Sequence, residues 1–136
     1  MWKIVVWAVM IAWAIVIAWI TRSRLGEHLS RRRCQGRSWL RAFPDASKAE
    51  IRDFLALLAE AFGLYRSERM KLSPEDRVME VYGLLYPHPE VTPDCLELET
   101  LARLLEDQYG LDLERACQDD VSLGALFALT RGTCAA

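Results

Sequence analysis

The sequence predicts an all-α protein with one N-terminal transmembrane helix followed by a small four-helix bundle. Residues 4–20 form an unbroken apolar run. In the rest of the chain, apolar residues recur three or four positions apart, the spacing of a helix rather than of a strand. We expect an anchor over residues 1–21, a basic juxtamembrane linker over 22–46, a helical domain over 47–132 and a tail over 133–136.

The apolar run predicts a membrane anchor. With its flanking residues it is about 20 residues long, roughly 30 Å of helix, which matches the hydrocarbon thickness of a bilayer. A secretory signal peptide would need a stretch of about 7–15 apolar residues and a small-residue cleavage motif. A buried core helix usually has a polar edge. Neither alternative fits, and the run contains no ionisable side chain.

The charges beside the run predict its orientation. Only Lys3 precedes it, whereas seven arginines follow it by Arg41, opposed by Glu27. The C-terminal domain is therefore expected in the cytoplasm, beneath the cell (inner) membrane. The basic residues are a topology signal, a contact for anionic lipid headgroups, or both, and nucleic-acid binding is not expected. The residues expected at the membrane surface are Arg22, Arg24, Arg31, Arg32 and Arg33.

Composition argues against metal or catalytic chemistry. Residues 1–41 carry a net charge of +7 and residues 42–136 a net charge of −9, so an acidic domain follows a basic segment. The four cysteines include no C-x-x-C pair, and the two histidines are isolated. We therefore expect no metal site, no cofactor and no enzyme activity.

Local signals predict the helices of the domain. The first should run over 48–62, with a capping box formed by Ser47 and Glu50 and a stop at Gly63. The other helices should start at Ser73-Pro74, after Thr92-Pro93-Asp94 and after Asp120 or Ser122, and should end before Pro87, at Gly110 and at Gly132. Helical spacing places these side chains in the core: Ile51, Phe54, Leu55, Leu58, Phe62, Val78, Val81, Tyr82, Leu85, Leu98, Leu101, Ala102, Leu105, Tyr109, Leu123, Leu126 and Phe127.

The third predicted helix carries a family resemblance. Residues 94–110, which begin Asp-Cys-Leu and end Leu-Glu-Asp-Gln-Tyr-Gly, resemble the second helix of acyl carrier proteins, which begins Asp-Ser-Leu and ends in a Leu-Glu-Glu-aromatic stretch. Residues 51–64 resemble the first helix of that family, and 113–131 its short loop and final helix. Residues 72–93 are longer than the usual connection and carry an extra helix.

The resemblance implies a docking surface without carrier chemistry. Cys95 stands where the family has the serine that takes the phosphopantetheine arm, so no arm is expected. A reactive thiol is the other interpretation of Cys95, but the charges of Asp94 and Glu97 disfavour a thiolate. The family docks on partner enzymes through acidic residues of this helix, and the matching ones are Asp94, Glu97, Glu99, Glu106 and Asp107. The alternative is a solvated face with ion pairs from Arg103 to Glu99 and Asp107.

These observations predict a function without catalysis. We expect a membrane-anchored cytoplasmic module that presents an acidic helix to a protein partner the sequence does not identify. The alternative is a genuine acyl carrier protein that serves membrane-bound acyl-transfer enzymes.

Overall fold

The computed structural model describes residues 1–20, 24–85, 96–116 and 120–134, with only the backbone described for 18–20, 24, 133 and 134. These residues form helices and no strand, so the predicted all-α class is confirmed. One isolated antiparallel β-bridge joins Arg77 to Ser122. The helices are α1 (Trp2–Ile20), α2 (Arg24–Ser30), α3 (Gly36–Ala42), α4 (Lys48–Phe62), a 3-10 turn (Arg69–Lys71), α5 (Val78–Leu84), α6 (Leu96–Tyr109), α7 (Leu113–Ala116) and α8 (Leu123–Cys134).

Helix α1 has no buried face where its side chains are described. All side chains from Met1 to Ile17 are exposed, including the indoles of Trp2, Trp7 and Trp13. Across the described part of the chain, no helix combines the length and the apolar character that crossing a membrane requires.

Helix α4 begins and ends where the sequence predicts. The Ser47 hydroxyl accepts a hydrogen bond from the Glu50 backbone N–H at 3.1 Å, and the Glu50 carboxylate accepts one from the Ser47 N–H at 2.6 Å. This capping box satisfies two of the donors that a helix N-terminus leaves unpaired. At the other end, Gly63 has φ +64°, a left-handed conformation that glycine adopts without a Cβ clash.

The core lies mainly between α4 and α6, which make the most extensive helix–helix contact among the described elements. Leu101 and Leu105 of α6 are fully buried, as predicted. Of the other predicted core residues, Leu85, Leu98, Ala102 and Tyr109 are only partly buried. The rest are buried: Ile51, Phe54, Leu55, Leu58, Phe62, Val78, Val81, Tyr82, Leu123, Leu126 and Phe127.

Part of the segment expected to be a linker belongs to this core. Leu25 and Leu29 of α2 and Trp39 of α3 are buried. Trp39 packs edge-on against Phe54 and Phe127, with ring centroids 6.0 and 5.7 Å away. Its indole N–H donates to the Leu72 carbonyl at 2.8 Å, which satisfies the one polar atom of the ring. The basic segment is therefore folded onto the domain through its apolar side chains.

Helix α5 begins later than the sequence predicts, at Val78 rather than at Ser73-Pro74. Ser73–Asp76 form a turn instead, and Arg77 is extended because it pairs with Ser122. Two backbone hydrogen bonds flank this bridge, Val78 N–H to the Val121 carbonyl at 2.9 Å and Leu123 N–H to the Asp76 carbonyl at 2.7 Å. Tertiary pairing with the start of α8 thus replaces the first turn of the predicted helix.

The start of α8 is fixed by the same contact. The Ser122 hydroxyl accepts from the Ala125 N–H, so Ser122 acts as the predicted cap. The Gly124 N–H donates to the Pro74 carbonyl at 2.8 Å, and a Cβ on Gly124 would lie 2.9 Å from that oxygen. Only glycine allows this approach without a shift. The helix continues to Cys134, two residues past the predicted end at Gly132.

Candidate docking surface

Helix α6 separates its apolar and acidic side chains onto different faces. Leu101 and Leu105 point into the core, while Glu99, Glu106 and Asp107 are exposed. Glu99 and Glu106 are seven residues apart, two turns of helix, and therefore lie on one face. Of the other predicted docking residues, Glu97 is half-buried, and Asp94 lies outside the described residues together with Cys95.

The exposed carboxylates of α6 are not neutralised by the basic residue of the same helix. In the described range 96–109, no ion pair joins Arg103 to Glu99 or to Asp107, so the pairs considered from the sequence are not formed. Elsewhere, by contrast, the exposed pairs Arg31–Glu27 and Arg115–Asp112 are formed, at 2.8 and 3.3 Å. The α6 face therefore keeps its negative charge.

A groove of ≈ 620 Å³ opens beside the C-terminal end of α6. Three helices line it, through Glu50 and Asp53 of α4, Gln108 and Tyr109 of α6, and Phe127, Thr130 and Arg131 of α8. Glu106 and Asp107 directly precede Gln108 in sequence but are not among the residues that line the groove, because neighbouring positions of a helix point in different directions. Glu99 lies nine residues before Gln108, about 14 Å along the helix. The groove and the predicted acidic surface therefore both lie on α6, the groove at its C-terminal end, with Glu97 and Glu99 toward the other end.

The groove lining combines two acidic side chains, one basic side chain and two aromatic rings. Hydrogen bonds with the backbone and the side chain of Ser47 lower the pKa of Glu50 below its usual value. The charge of Arg131 makes a smaller contribution in the same direction. Glu50 is consequently ionised at neutral pH. Arg131 donates to the Asp45 carbonyl at 3.3 Å, which holds the basic side chain on one wall. The aromatic residues of the lining are Tyr109, which is half-buried, and Phe127, which is buried.

Glu50 and Asp53 were not predicted at a functional surface. Glu50 was interpreted only as part of the capping box that begins α4, and no role was predicted for Asp53. Their position opposite the C-terminus of α6 arises from the antiparallel packing of helices that are distant in sequence. Both acids lie in the first two turns of one helix, which could have signalled an acidic surface. Acidic residues are equally common there because they interact favourably with the helix dipole.

Of the arginines expected at the membrane surface, three have described side chains. Arg31 and Arg33 are exposed, whereas Arg32 is half-buried against the domain. Arg22 lies outside the described residues, and only the backbone of Arg24 is described. Arg32 is thus oriented toward the protein rather than left free for lipid.

Arg32 forms a two-pronged ion pair with Asp76. Its Nη1 and Nη2 donate to Oδ2 and Oδ1 of Asp76 at 2.6 and 2.9 Å. Asp76 Oδ2 also accepts from the Ser73 N–H at 2.8 Å. The hydrogen bond to Asp76, with its charge in support, raises the pKa of Arg32 against the opposing effect of burial. This pair ties the end of α2 to the turn before α5.

The described residues hold no group of three His, Cys, Asp or Glu side chains placed to bind a metal ion. Cys34 is exposed and unbridged. The arrangement therefore consists of a charged helix face, a groove at the end of that helix and a charged pair that joins two elements. Comparisons with protein-family models, with curated proteins and with solved structures found no match for this chain.

Proposed function

We propose that this protein is a membrane-anchored, non-catalytic docking module that binds a positively charged segment of a partner protein. The observation that carries the proposal is the exposed acidic face of α6, a helix whose C-terminal residues Gln108 and Tyr109 line a groove together with Glu50 and Asp53. Carboxylates that find no partner within the domain favour a partner of opposite charge. The half-buried Tyr109 in the groove suits an aliphatic or aromatic side chain beside the basic ones.

Membrane attachment through α1 is the other half of the proposal. The side chains described on α1 end at Ile17, about 24 Å along the helix, and the sequence stays apolar through Ile20. Exposed large apolar side chains all around a helix are costly in water and favourable in lipid. The arginines that follow favour a cytoplasmic domain at the inner membrane.

Fractionation tests the attachment. The full chain should remain in membranes after alkaline extraction. A reporter that is active only in the cytoplasm, fused after Ala136, should be active. Release of the chain by alkali would contradict the anchor, and activity of an export-dependent reporter at the same place would contradict the orientation.

A charge comparison tests the docking surface. We expect the triple variant Glu99→Gln, Glu106→Gln and Asp107→Asn to bind a partner captured from native membranes about tenfold more weakly than the wild type, since each exposed charge contact contributes up to about 1 kcal/mol. The matched control removes the same charge at exposed positions elsewhere, through Glu60→Gln, Glu75→Gln and Glu114→Gln. Binding should fall as salt is raised, because exposed charges are screened over about 10 Å at 0.1 M. Equal weakening in both variants would mean that net charge alone matters.

The second candidate is a true acyl carrier protein. This candidate is favoured by the order of the helices, which is the order that the resemblance implies. A long helix α4 is followed by a connection, α6, the short α7 and α8. It requires an arm on a residue at position 95, and a cysteine thiol is not the oxygen nucleophile of that modification. Intact-mass measurement after co-expression with a phosphopantetheinyl transferase separates the two candidates. An added arm on the wild-type chain would favour the carrier, and an unchanged mass favours the docking module.

A further inference from the structure

We propose that the basic segment α2–α3 and the 3-10 turn Arg69–Lys71 together form one surface that rests on the anionic phospholipid headgroups of the bilayer holding α1. This inference rests on the proposed membrane attachment. It adds a second segment, distant in sequence from the anchor, and it assigns the domain a fixed orientation at the membrane.

Hydrogen bonds hold the two segments together. The Gln35 N–H donates to the Met70 carbonyl at 2.7 Å. The Trp39 indole donates to the Leu72 carbonyl at 2.8 Å, and Lys71 Nζ donates to the Ser30 carbonyl at 3.3 Å. The three contacts fall at the consecutive positions 70–72, and one of them is made by the buried side chain of Trp39. The two segments therefore have little freedom to move relative to each other.

Both segments are basic. Residues 24–41 contain six arginines and one glutamate, and residues 64–72 contain two arginines, one lysine and one glutamate. Within the described side chains of these two ranges, the exposed arginines without an ion pair are Arg33, Arg37, Arg41 and Arg66. Arg69 and Lys71 are half-buried; the Arg69 Nε is buried without a hydrogen-bond partner, and Lys71 Nζ donates to the Ser30 carbonyl.

Three acidic groups near this surface are engaged, whereas Glu80, whose charge acts on Arg32, is exposed and has no ion pair in the described structure. Glu27 pairs with Arg31 at 2.8 Å, and Asp76 pairs with Arg32. The Glu68 carboxylate accepts the Tyr65 N–H at 3.1 Å. They therefore reduce the positive charge of the surface without reversing it, since the free arginines have no acidic partner in the described residues.

The position of the anchor selects lipid as the ligand. α2 begins at Arg24, four residues after the last residue of α1. Four residues span at most about 14 Å when extended, so α2 starts close to the headgroups in which α1 ends. Basic groups within about 10 Å of an anionic leaflet are attracted to it at physiological salt. A free phosphate or a nucleic acid would have to compete with a surface that is permanently nearby.

Amide hydrogen exchange of the full chain tests this contact. The protein is reconstituted in nanodiscs of phosphatidylcholine alone or of phosphatidylcholine mixed with phosphatidylglycerol. We expect amides of residues 65–72 to exchange several-fold more slowly in the anionic discs, and the difference to disappear at high salt. Amides of α6 should exchange equally in both lipids.

Charge variants identify the groups responsible. Arg69→Gln with Lys71→Gln should abolish the lipid-dependent protection, whereas the control Lys48→Gln with Arg52→Gln, on exposed positions of α4, should keep it. Because Arg69 is half-buried, a second pair, Arg33→Gln with Arg66→Gln, changes exposed side chains only and should also reduce the protection. Equal exchange of residues 65–72 in the two lipids overturns this inference while leaving the anchor intact. Failure of the chain to enter either disc overturns the proposed attachment itself.

Discussion

The basic segment Arg24–Ala42 and the acidic helix α6 have opposite charges and different relations to the core. Both bury apolar side chains, Trp39 from the first and Leu105 from the second. The basic segment also turns one of its arginines inward, onto Asp76, whereas the exposed carboxylates of α6 have no ion pair in the described structure. Net charge therefore does not indicate whether a segment is folded. What distinguishes the two is whether a charged side chain completes a contact between elements.

The largest expected effect tests whether the basic segment is part of the core. Trp39→Ala should cost about 3–5 kcal/mol of unfolding free energy, because a fully buried indole leaves a cavity among Phe43, Phe54 and Phe127. Leu105→Ala in α6 should cost about 2–5 kcal/mol. Denaturant unfolding of a chain that starts at residue 24, followed by circular dichroism, measures both.

The control for this pair of variants is Leu96→Ala, since Leu96 is 58% exposed, and it should change the midpoint little. A fragment that starts at residue 43 lacks Trp39 and should not unfold cooperatively. If that fragment is as stable as the longer chain, the basic segment does not stabilise the domain and is not part of its core.

Much of this arrangement follows from the sequence, but not the attachment of the basic segment. The start of α4 and the buried face of α6 were predicted because their signals, the Ser47–Glu50 capping box and the Leu101–Leu105 spacing, are local. The spacing of Leu25 and Leu29 and the presence of Trp39 were equally visible in the sequence. Their importance was missed because the arginines around them fit a membrane-side linker.

The rest could not be predicted from local pattern. Asp76 reads as a favourable acid in the first turn of a helix, and only the folded chain shows it paired with Arg32 across 44 positions. The turn at Ser73–Asp76 likewise depends on the close approach of Pro74 to Gly124. The groove beside α6 is formed by three helices, so no single segment contains its pattern. Such features require the tertiary structure.

An intermediate effect is expected for the inward-facing charge. Asp76→Asn should cost about 1–3 kcal/mol, because it weakens a two-pronged pair and leaves the Arg32 guanidinium partly buried without its counterion. The Asp76 side chain is only 11% exposed, so water compensates little. The matched control is Glu27→Gln, which breaks the exposed Arg31–Glu27 pair and should cost less than about 0.5 kcal/mol. Equal costs for the two variants would remove the distinction between a charge that joins elements and a charge on the surface.

The smallest effect on the unfolding free energy is expected for the acidic face of α6. The triple variant Glu99→Gln, Glu106→Gln and Asp107→Asn should change the unfolding free energy by less than about 0.5 kcal/mol. Glu99 lies in the first turn, where its charge favours the helix by a few tenths of a kcal/mol, whereas Glu106 and Asp107 lie in the last turn, where a negative charge is unfavourable. These contributions have opposite signs and largely cancel, and no ion pair is lost. The denaturant midpoint, measured beside that of Asp76→Asn, checks this prediction. A loss as large as that of Asp76→Asn would assign these carboxylates to stability, and weaker partner binding by the same variant would then no longer identify a docking surface.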